Sequence, residues 1–214
     1  MNNKIGLLGG TFNPIHLGHI ELGQQVLRAF GLDRILYVLS AHPPHKGKSG
    51  LIPARTRWKM LNMALDPYHH LVPCDIEMKR SSPSWTYQTL TILKSRYPEQ
   101  VLYFLSGSEG FLKIRTWRNY RMLLSAVSFI VILRKSGHKE ELEALLRQEK
   151  VPVCPVKSDH SGDPCVFFYQ YQSDTLGLSS TQIREKISRK EPVNRLIPGS
   201  VWEFIKENNL YGSE

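Results

Sequence analysis

Short apolar runs alternate with helical patterns of apolar and polar positions over most of the chain. Strands are predicted at residues 5–8, 35–39, 71–76, 101–105 and 127–133, with weaker candidates at 151–156 and 166–171. Helices are predicted at residues 17–30, 54–65, 86–97, 117–124, 140–149, 181–188 and 199–208. Strands separated by helices indicate βαβ units, whose right-handed crossovers build a parallel sheet. We therefore predict an α/β fold.

A single domain is predicted for residues 1–214. The 24.6 kDa chain is long enough to bury a core of its own, and it shows no internal repeat, low-complexity tract or linker. Residues 136–176 have the least regular pattern, so we expect them to decorate the fold. Ligands of parallel sheets bind beyond the carboxyl ends of the strands, which directs attention to the turn after the first strand.

The composition indicates an ordinary globular protein, with 41% hydrophobic and 22% charged residues. No apolar stretch reaches membrane-spanning length, and residues 1–4 lead into the first strand without a signal-peptide pattern. Cys74, Cys154 and Cys165 are sparse, odd in number and without C-x-x-C spacing. We therefore predict reduced thiols, without a disulfide framework or a zinc site, in a cytoplasmic protein that does not contact membranes.

The net charge of +9 favours anionic partners. Its basic residues are scattered, and Arg115, Arg118 and Arg121 come closest to forming a stripe. This distribution fits an enzyme that binds phosphorylated substrates, and we expect no nucleic-acid partner.

Residues 9–19 combine a glycine turn with a helix start and read Gly-Gly-Thr-Phe-Asn-Pro-Ile-His-Leu-Gly-His. Gly9 and Gly10 follow the first strand, can adopt positive φ and let backbone approach a ligand closely. The helix that follows directs unpaired N–H groups and a partial positive charge to the same place. His16 and His19 share one face of that helix. The segment predicts a site for a polyanion, most simply a nucleoside triphosphate.

Each part of this segment also has an ordinary structural explanation. Gly-Gly turns are common after strands, and histidines at helical spacing are usually packed or solvated. Here both histidines lie in the first helical turn beside the glycines, where a core position is disfavoured. Other phosphate motifs fail in detail, because Gly6, Gly9 and Gly10 lack the G-x-G-x-x-G spacing and residues 47–49 lack the first glycine of a P-loop.

A second helix start occurs at residues 178–187, which read Leu-Ser-Ser-Thr-Gln-Ile-Arg-Glu-Lys-Ile. Ser179 and Gln182 form the pattern of a capping box, so hydroxyl and N–H groups cluster there. Arg184 lies one turn into the helix, within reach of an anion held at its start. A capped helix with a solvated arginine would explain the same residues.

Both segments resemble signatures of the nucleotidyltransferase superfamily, H-x-G-H and I-S-S-T-x-I-R. From residue 4 to 211 the chain is similar to bacterial nicotinate mononucleotide adenylyltransferases, most loosely at 137–177. Further matches lie at residues 43–46, 84–86, 106–109, 116–117, 134–135, 196–198 and 209–211. The resemblance implies a Rossmann-like doubly wound sheet with C-terminal helices. It also implies transfer of AMP from ATP to nicotinate mononucleotide, which yields deamido-NAD and pyrophosphate without a covalent intermediate.

The resemblance also assigns roles to individual residues. His16, His19 and Arg184 are implied to be catalytic through contacts with the ATP phosphates. The implied ATP-binding residues are Gly9, Gly10, Thr11, Phe12, Gly107, Ser108, Glu109, Ser179, Ser180 and Thr181. The implied mononucleotide-binding residues are Asn13, His45, Lys46, Thr86, Trp117, Arg118 and Arg134. Among these, the Thr86 backbone would meet the nicotinate carboxylate, and Trp117 would stack on the pyridine ring.

Three residues depart from the family pattern. Asn13 and Glu109 stand where Asp is usual, and Arg118 stands where Tyr is frequent, which adds positive charge near the expected carboxylate. Mg²⁺ is implied as a cofactor carried with ATP, and no protein metal site is predicted. The histidines that show no metal spacing are expected at the surface; they are His69, His70, His138 and His160.

Two other functions stay open at this point. One is a related adenylyl- or cytidylyltransferase with another acceptor, such as phosphopantetheine, against which Thr86, Trp117 and the Asn-Leu-Tyr tail argue. The other is a nucleotide- or RNA-binding module without catalysis, which intact histidine and I-R motifs disfavour. We expect a monomer or a small homo-oligomer.

Overall fold

The computed structural model describes residues 3–43, 50–80, 83–133, 137–156, 163–173 and 177–213. Its strands are β1 (Lys4–Gly10), β2 (Arg34–Leu39), β3 (Leu71–Cys74), β4 (Val101–Gly107), β5 (Ser128–Leu133), β6 (Val153–Cys154) and β7 (Val166–Gln170). Its α-helices are α1 (Leu17–Phe30), α2 (Ala54–Leu65), α3 (Thr86–Arg96), α4 (Ser108–Phe111), α5 (Tyr120–Ala126), α6 (His138–Glu149), α7 (Ser180–Ser188) and α8 (Gly199–Glu207). None of the described helices is long and apolar enough to cross a membrane.

The strands form one parallel sheet in the order β3-β2-β1-β4-β5-β7-β6. The chain winds outward from β1 in one direction through β2 and β3, and then continues from β4 in the other. Strand order therefore reverses between β1 and β4, where the outgoing loops diverge and leave a crevice. This arrangement confirms the predicted Rossmann-like doubly wound fold.

Helices cover both faces of the sheet, so the strands bury side chains in both directions. Leu8 and Tyr37 lie in a core shared with α1, α2, α7 and α8, whereas Ile5 and Leu7 lie in a second core with α3, α5 and α6. Alternate side chains of a strand point to opposite faces. Burial on both sides explains why the strands read as continuous apolar runs in the sequence.

The described residues between 137 and 173 belong to the sheet and its helical layer, so the expectation that residues 136–176 decorate the fold was wrong. The strand β7 extends the sheet by pairing with β5 along its whole length, from Phe129↔Val166 to Leu133↔Gln170. The helix α6 buries Leu142 and Leu146 against the same face as α5. A short apolar run beside a long polar segment is only a weak indication of a strand in the sheet. Pairing with β5 stabilises β7.

The helix predicted at 117–124 begins later, at Tyr120. Trp117 instead follows a 3₁₀ turn, Ile114–Thr116, in extended backbone. Asn119 takes the left-handed conformation, with φ of 57°, and separates the turn from α5. Asn adopts this conformation more readily than most residues.

Cys154 and Cys165 form a disulfide, so the prediction of reduced thiols was wrong for this pair. Parallel pairing of β6 with β7 aligns Val153 with Val166 and brings the two cysteines side by side, with 6.2 Å between their Cα atoms. Such a separation suits a disulfide. Cys74 is a buried free thiol.

Candidate active site

A cavity of about 490 Å³ opens at the carboxyl ends of β1 and β4, where the strand order reverses. The predicted site residues that line it are Gly9, Gly10, Thr11, His19, Thr86, Gly107, Trp117 and Arg118. The structure thus brings together residues from the first turn, the β4 end and the region between residues 84 and 118. His45, Lys46, Arg134 and His160 lie outside the described residues.

The two glycines of the first turn leave space for a neighbouring ring, and neither of them adopts the left-handed conformation. Gly9 and Gly10 are the last residues of β1, and the positive φ in this turn belongs to Phe12, at 45°. A Cβ atom on Gly10 would lie 2.9 Å from the Phe12 ring. Glycine at this position therefore lets the buried Phe12 ring fold back over the end of the strand.

His16 and His19 form a stacked pair at the start of α1. His16 is the N-cap residue and only 4% exposed, whereas His19 faces the cavity. Their ring centroids are 3.7 Å apart, and the backbone N–H of His16 donates to Nδ1 of His19 at 3.3 Å. Because Nδ1 accepts, the neutral His19 ring carries its proton on Nε2.

The start of α7 is attached directly to the loop between β1 and α1. Ser180 Oγ donates to the carbonyl of Pro14 at 2.8 Å, and Arg184 Nη1 donates to the carbonyl of Asn13 at 2.8 Å. The expected capping box is present, since Ser179 Oγ accepts from the Gln182 N–H at 3.3 Å and Gln182 Oε1 accepts from the Ser179 N–H at 3.0 Å. Two helix N-termini that are distant in sequence therefore meet on one loop.

Asn13 is held entirely by protein partners through its side chain. It is 3% exposed; its Nδ2 donates to the carbonyl of Gly50 at 2.7 Å, and its Oδ1 accepts from the Tyr211 hydroxyl at 2.8 Å. Burial raises the pKa of Tyr211, so its hydroxyl stays protonated and continues to donate. In this structure Asn13 fixes the position of the loop.

The part of the cavity beside α3 carries an arginine and several aromatic rings. Helix α3 begins there at Thr86 after the N-cap residue Trp85, and both residues line the cavity. The Arg118 guanidinium lies 5.4 Å from the Trp85 ring centroid and 6.0 Å from that of Tyr87. The Trp117 ring meets Phe104 edge to face, with centroids 5.9 Å apart. A helix N-terminus and an arginine together favour an anionic group at this end.

The remaining predicted residues near β4 have different surroundings. Ser108 is 1% exposed and its Oγ lies 2.8 Å from Nδ1 of His138, so its hydroxyl is engaged with α6. His138 is partly buried in this contact. Glu109 is exposed in the first turn of α4.

Three residues in or beneath the site were not among the site residues predicted from the sequence. Glu77 lines the cavity and accepts from Thr89 Oγ1 at 2.6 Å, Tyr211 contacts Asn13, and Arg57 lies beneath the first turn. Arg57 had a detectable signal, because it occupies the same helix face as the apolar Met60 and Leu61. A charged residue at an apolar position of an amphipathic helix indicates a buried, bonded side chain.

Acidic and metal-binding side chains do not cluster in the described ranges. No group of three or more His, Cys, Asp or Glu residues there is arranged to hold a metal ion. Polar contacts to a bound anion would therefore come from histidine, hydroxyl, arginine and backbone N–H groups.

Comparison with known proteins agrees with this geometry. Residues 7–186 match the cytidylyltransferase-like family model. Two relatives named probable nicotinate-nucleotide adenylyltransferase, from Carboxydothermus hydrogenoformans and Trichlorobacter lovleyi, are each 34% identical over 212 residues. The alignments cover 97% of this chain and 98% and 99% of the respective relatives.

Solved structures share the fold at lower identity. Plasmodium falciparum nicotinic acid mononucleotide adenylyltransferase, in a complex with NaAD, superposes with a TM-score of 0.77 at 19% identity and covers 99% of this chain and 98% of its own. A putative Vibrio parahaemolyticus nicotinate-nucleotide adenylyltransferase gives a TM-score of 0.62 at 16% identity, covering 99% and 96%. From the sheet order, the two converging helix starts and these matches, the chain belongs to the cytidylyltransferase-like family, among relatives named nicotinate-nucleotide adenylyltransferases.

Proposed function

We propose that this protein transfers AMP from ATP to nicotinate mononucleotide, producing deamido-NAD and pyrophosphate. The observation that carries this proposal is the meeting of two helix N-termini on one loop, through Ser180 on Pro14 and Arg184 on Asn13. Helix N-termini bind anions through free N–H groups and the helix dipole. Two of them converging beside His16 and His19 suit a triphosphate.

The acceptor end of the cavity supports nicotinate mononucleotide in particular. The N-terminus of α3 at Thr86 and the Arg118 guanidinium favour a carboxylate, and the indole of Trp117 offers a surface to a cationic pyridine ring. Gly107 forms the cavity wall at the end of β4, where the adenosine would lie. The relatives named as nicotinate-nucleotide adenylyltransferases support the same acceptor.

In the proposed reaction, a 5′-phosphate oxygen of the mononucleotide attacks the α-phosphorus of ATP. The new P–O bond forms as the bond from the α-phosphorus to the bridging oxygen breaks, and pyrophosphate leaves with that electron pair. Mg²⁺ enters as part of the MgATP substrate, since phosphate oxygens and water satisfy its coordination. His19, the hydroxyls of Ser180 and Thr181, and Arg184 then supply alignment and positive charge as negative charge develops.

The function can be tested by measuring pyrophosphate release with MgATP and one of three acceptors: nicotinate mononucleotide, nicotinamide mononucleotide or phosphopantetheine. We expect release with nicotinate mononucleotide, together with stoichiometric deamido-NAD identified by mass. Release only with phosphopantetheine would assign another member of the family. Absence of pyrophosphate release with all three acceptors would refute the transferase function.

A matched pair of arginine variants on α7 links the activity to the proposed site. Arg184→Met removes the guanidinium held on Asn13, and we expect turnover to fall about 100-fold. Arg189→Met removes an exposed guanidinium at the far end of the same helix and should leave turnover unchanged. Equal activity of both variants would exclude α7 from the site. Cytoplasmic location, lack of nucleic-acid binding and the oligomeric state stay predictions.

A further inference from the structure

Arg57 is a fully buried arginine that binds three loops at the carboxyl edge of the sheet. Its side chain is 1% exposed, and its Nη1 donates to the carbonyls of Thr11 at 2.7 Å and Ser40 at 2.8 Å. Its Nη2 donates to the carbonyl of Ala41 at 3.2 Å, and its Nε to that of Ile52 at 3.0 Å. The guanidinium thus joins the turn after β1 to the end of β2 and the start of α2.

Within the described residues, the partners of the Arg57 guanidinium are backbone carbonyl groups. Among the described residues no carboxylate forms an ion pair with it. Burial lowers the pKa of Arg57, while the four acceptor carbonyls stabilise the charged form. A full charge without a counter-ion in a buried position acts over a longer range than one exposed to water.

The direction of these carbonyls also determines what the cavity side of the loops presents. In a trans peptide the C=O and N–H groups point in opposite directions. The N–H of Phe12 therefore points away from Arg57, as does the N–H of Ala41. The next peptide shows this directly, because the Ala41 carbonyl accepts from Arg57 while the His42 N–H donates to Ser84 Oγ at 3.1 Å.

Thr11 and Ser40 line the cavity, so the loops whose carbonyls Arg57 binds form part of its wall. We propose that Arg57 is a positioning residue of the phosphate site: it draws the carbonyl oxygens of Thr11, Ser40 and Ala41 away from the cavity, and its buried charge favours a polyanion there. The inference rests on the proposed function, which supplies the polyphosphate ligand. Arg57 acts through the loops and does not itself contact substrate.

The test compares three single variants, each of which is first checked for folding. Arg57→Met removes the charge at nearly constant length, Arg57→Lys keeps a charge within reach of the same carbonyls, and Arg55→Met removes an exposed charge two residues earlier in α2. Dissociation constants are measured by titration for ATP and for adenosine, which lacks phosphates. Circular dichroism first establishes the temperature range in which each variant is folded.

We expect Arg57→Met to weaken ATP binding at least about tenfold and adenosine binding less than about twofold. Arg57→Lys should restore ATP affinity to within about threefold of the wild type, and Arg55→Met should match the wild type. Unchanged ATP affinity in Arg57→Met would overturn the inference. Equal losses for ATP and adenosine that lysine does not restore would also overturn it, since they indicate a role in folding only.

If Arg57→Met does not fold, Arg57→Gln takes its place, because glutamine keeps a donor without the charge. Affinity for ATP at least about fivefold lower than in Arg57→Lys supports the inference, and equal affinities refute it. The two proposals fail differently. Wild-type protein that binds ATP but transfers no AMP refutes the proposed function. A fully active wild type whose Arg57 variants bind ATP with unchanged affinity refutes this inference alone.

Discussion

Replacing Tyr211 by Phe tests whether the C-terminal tail fixes the nucleotide loop. The substitution removes one hydroxyl, whose bond to Asn13 Oδ1 is 2.8 Å long and lies in a largely buried setting. The ring and its packing against the core remain. The side-chain oxygen Oδ1 of Asn13 would then be buried without its donor.

The expected size of the effect follows from that burial. Losing the net hydrogen bond costs about 1 kcal/mol, and leaving Asn13 Oδ1 without a donor adds a similar amount, which totals about 2 kcal/mol. For a chain of this length the melting temperature should fall by roughly 6 °C. Because Asn13 also accepts from Arg184 through its carbonyl, a displaced loop should raise the KM for ATP several-fold.

The assay is thermal unfolding of Tyr211→Phe, Asn13→Ala and the double variant, combined in a double-mutant cycle. We expect a coupling energy of about 1 kcal/mol or more between the two side chains. Tyr97→Phe is the control, since the Tyr97 hydroxyl has no hydrogen-bond partner within the described parts of the chain, and it should leave stability almost unchanged. Coupling below about 0.3 kcal/mol would refute the reasoning.

Three further predictions concern the site and its support. His16→Ala should lower turnover about 100-fold with little change in KM for nicotinate mononucleotide, because charge develops mainly in the transition state; unchanged turnover would exclude a catalytic role. Trp117→Ala should mainly raise the KM for the mononucleotide, and a rise confined to ATP would contradict stacking. Burial raises the pKa of Tyr37, so the unfolded chain loses this proton first and the stability of the wild type should fall above about pH 10. Urea unfolding of Tyr37→Phe should show a weaker decline, and an equal decline would contradict the cause.

Most helix and strand positions could be predicted because the central strands are buried on both faces and the longer helices have one apolar side. Helices α1 and α2 agree with the predicted ranges at both ends. The errors lie where long-range pairing decides the outcome. The weaker strand candidate at 166–171 is found as β7, but its membership of the sheet depends on pairing with β5, and the disulfide between Cys154 and Cys165 depends on β6 lying beside β7. Neither pairing leaves a periodic signal in the sequence.

Within the site, the sequence predicted residues that belong to local motifs. His16, His19 and the Ser179 capping box are defined by spacings of a few residues, and the structure places them at helix starts as expected. Tyr211 and Arg57 act over long sequence separations, through Asn13 and through the Thr11 and Ser40 carbonyls. The apolar helix face of Arg57 indicates that the residue is buried, but its partners are backbone atoms, which every residue type provides, and Tyr211 is 198 residues from Asn13, so the sequence does not identify these contacts.

By itself, the sequence of this protein determined the alternation of strands and helices and the two helix starts that suit an anion. These depend on backbone sterics, apolar periodicity and capping, all of which operate within a few residues. Only the tertiary structure decided that α7 docks on the first loop, that Asn13 is enclosed by Gly50 and Tyr211, and that a buried arginine lies beneath the turn. The physical reason is that these contacts join distant segments, whose approach depends on how the whole sheet and both helical layers pack.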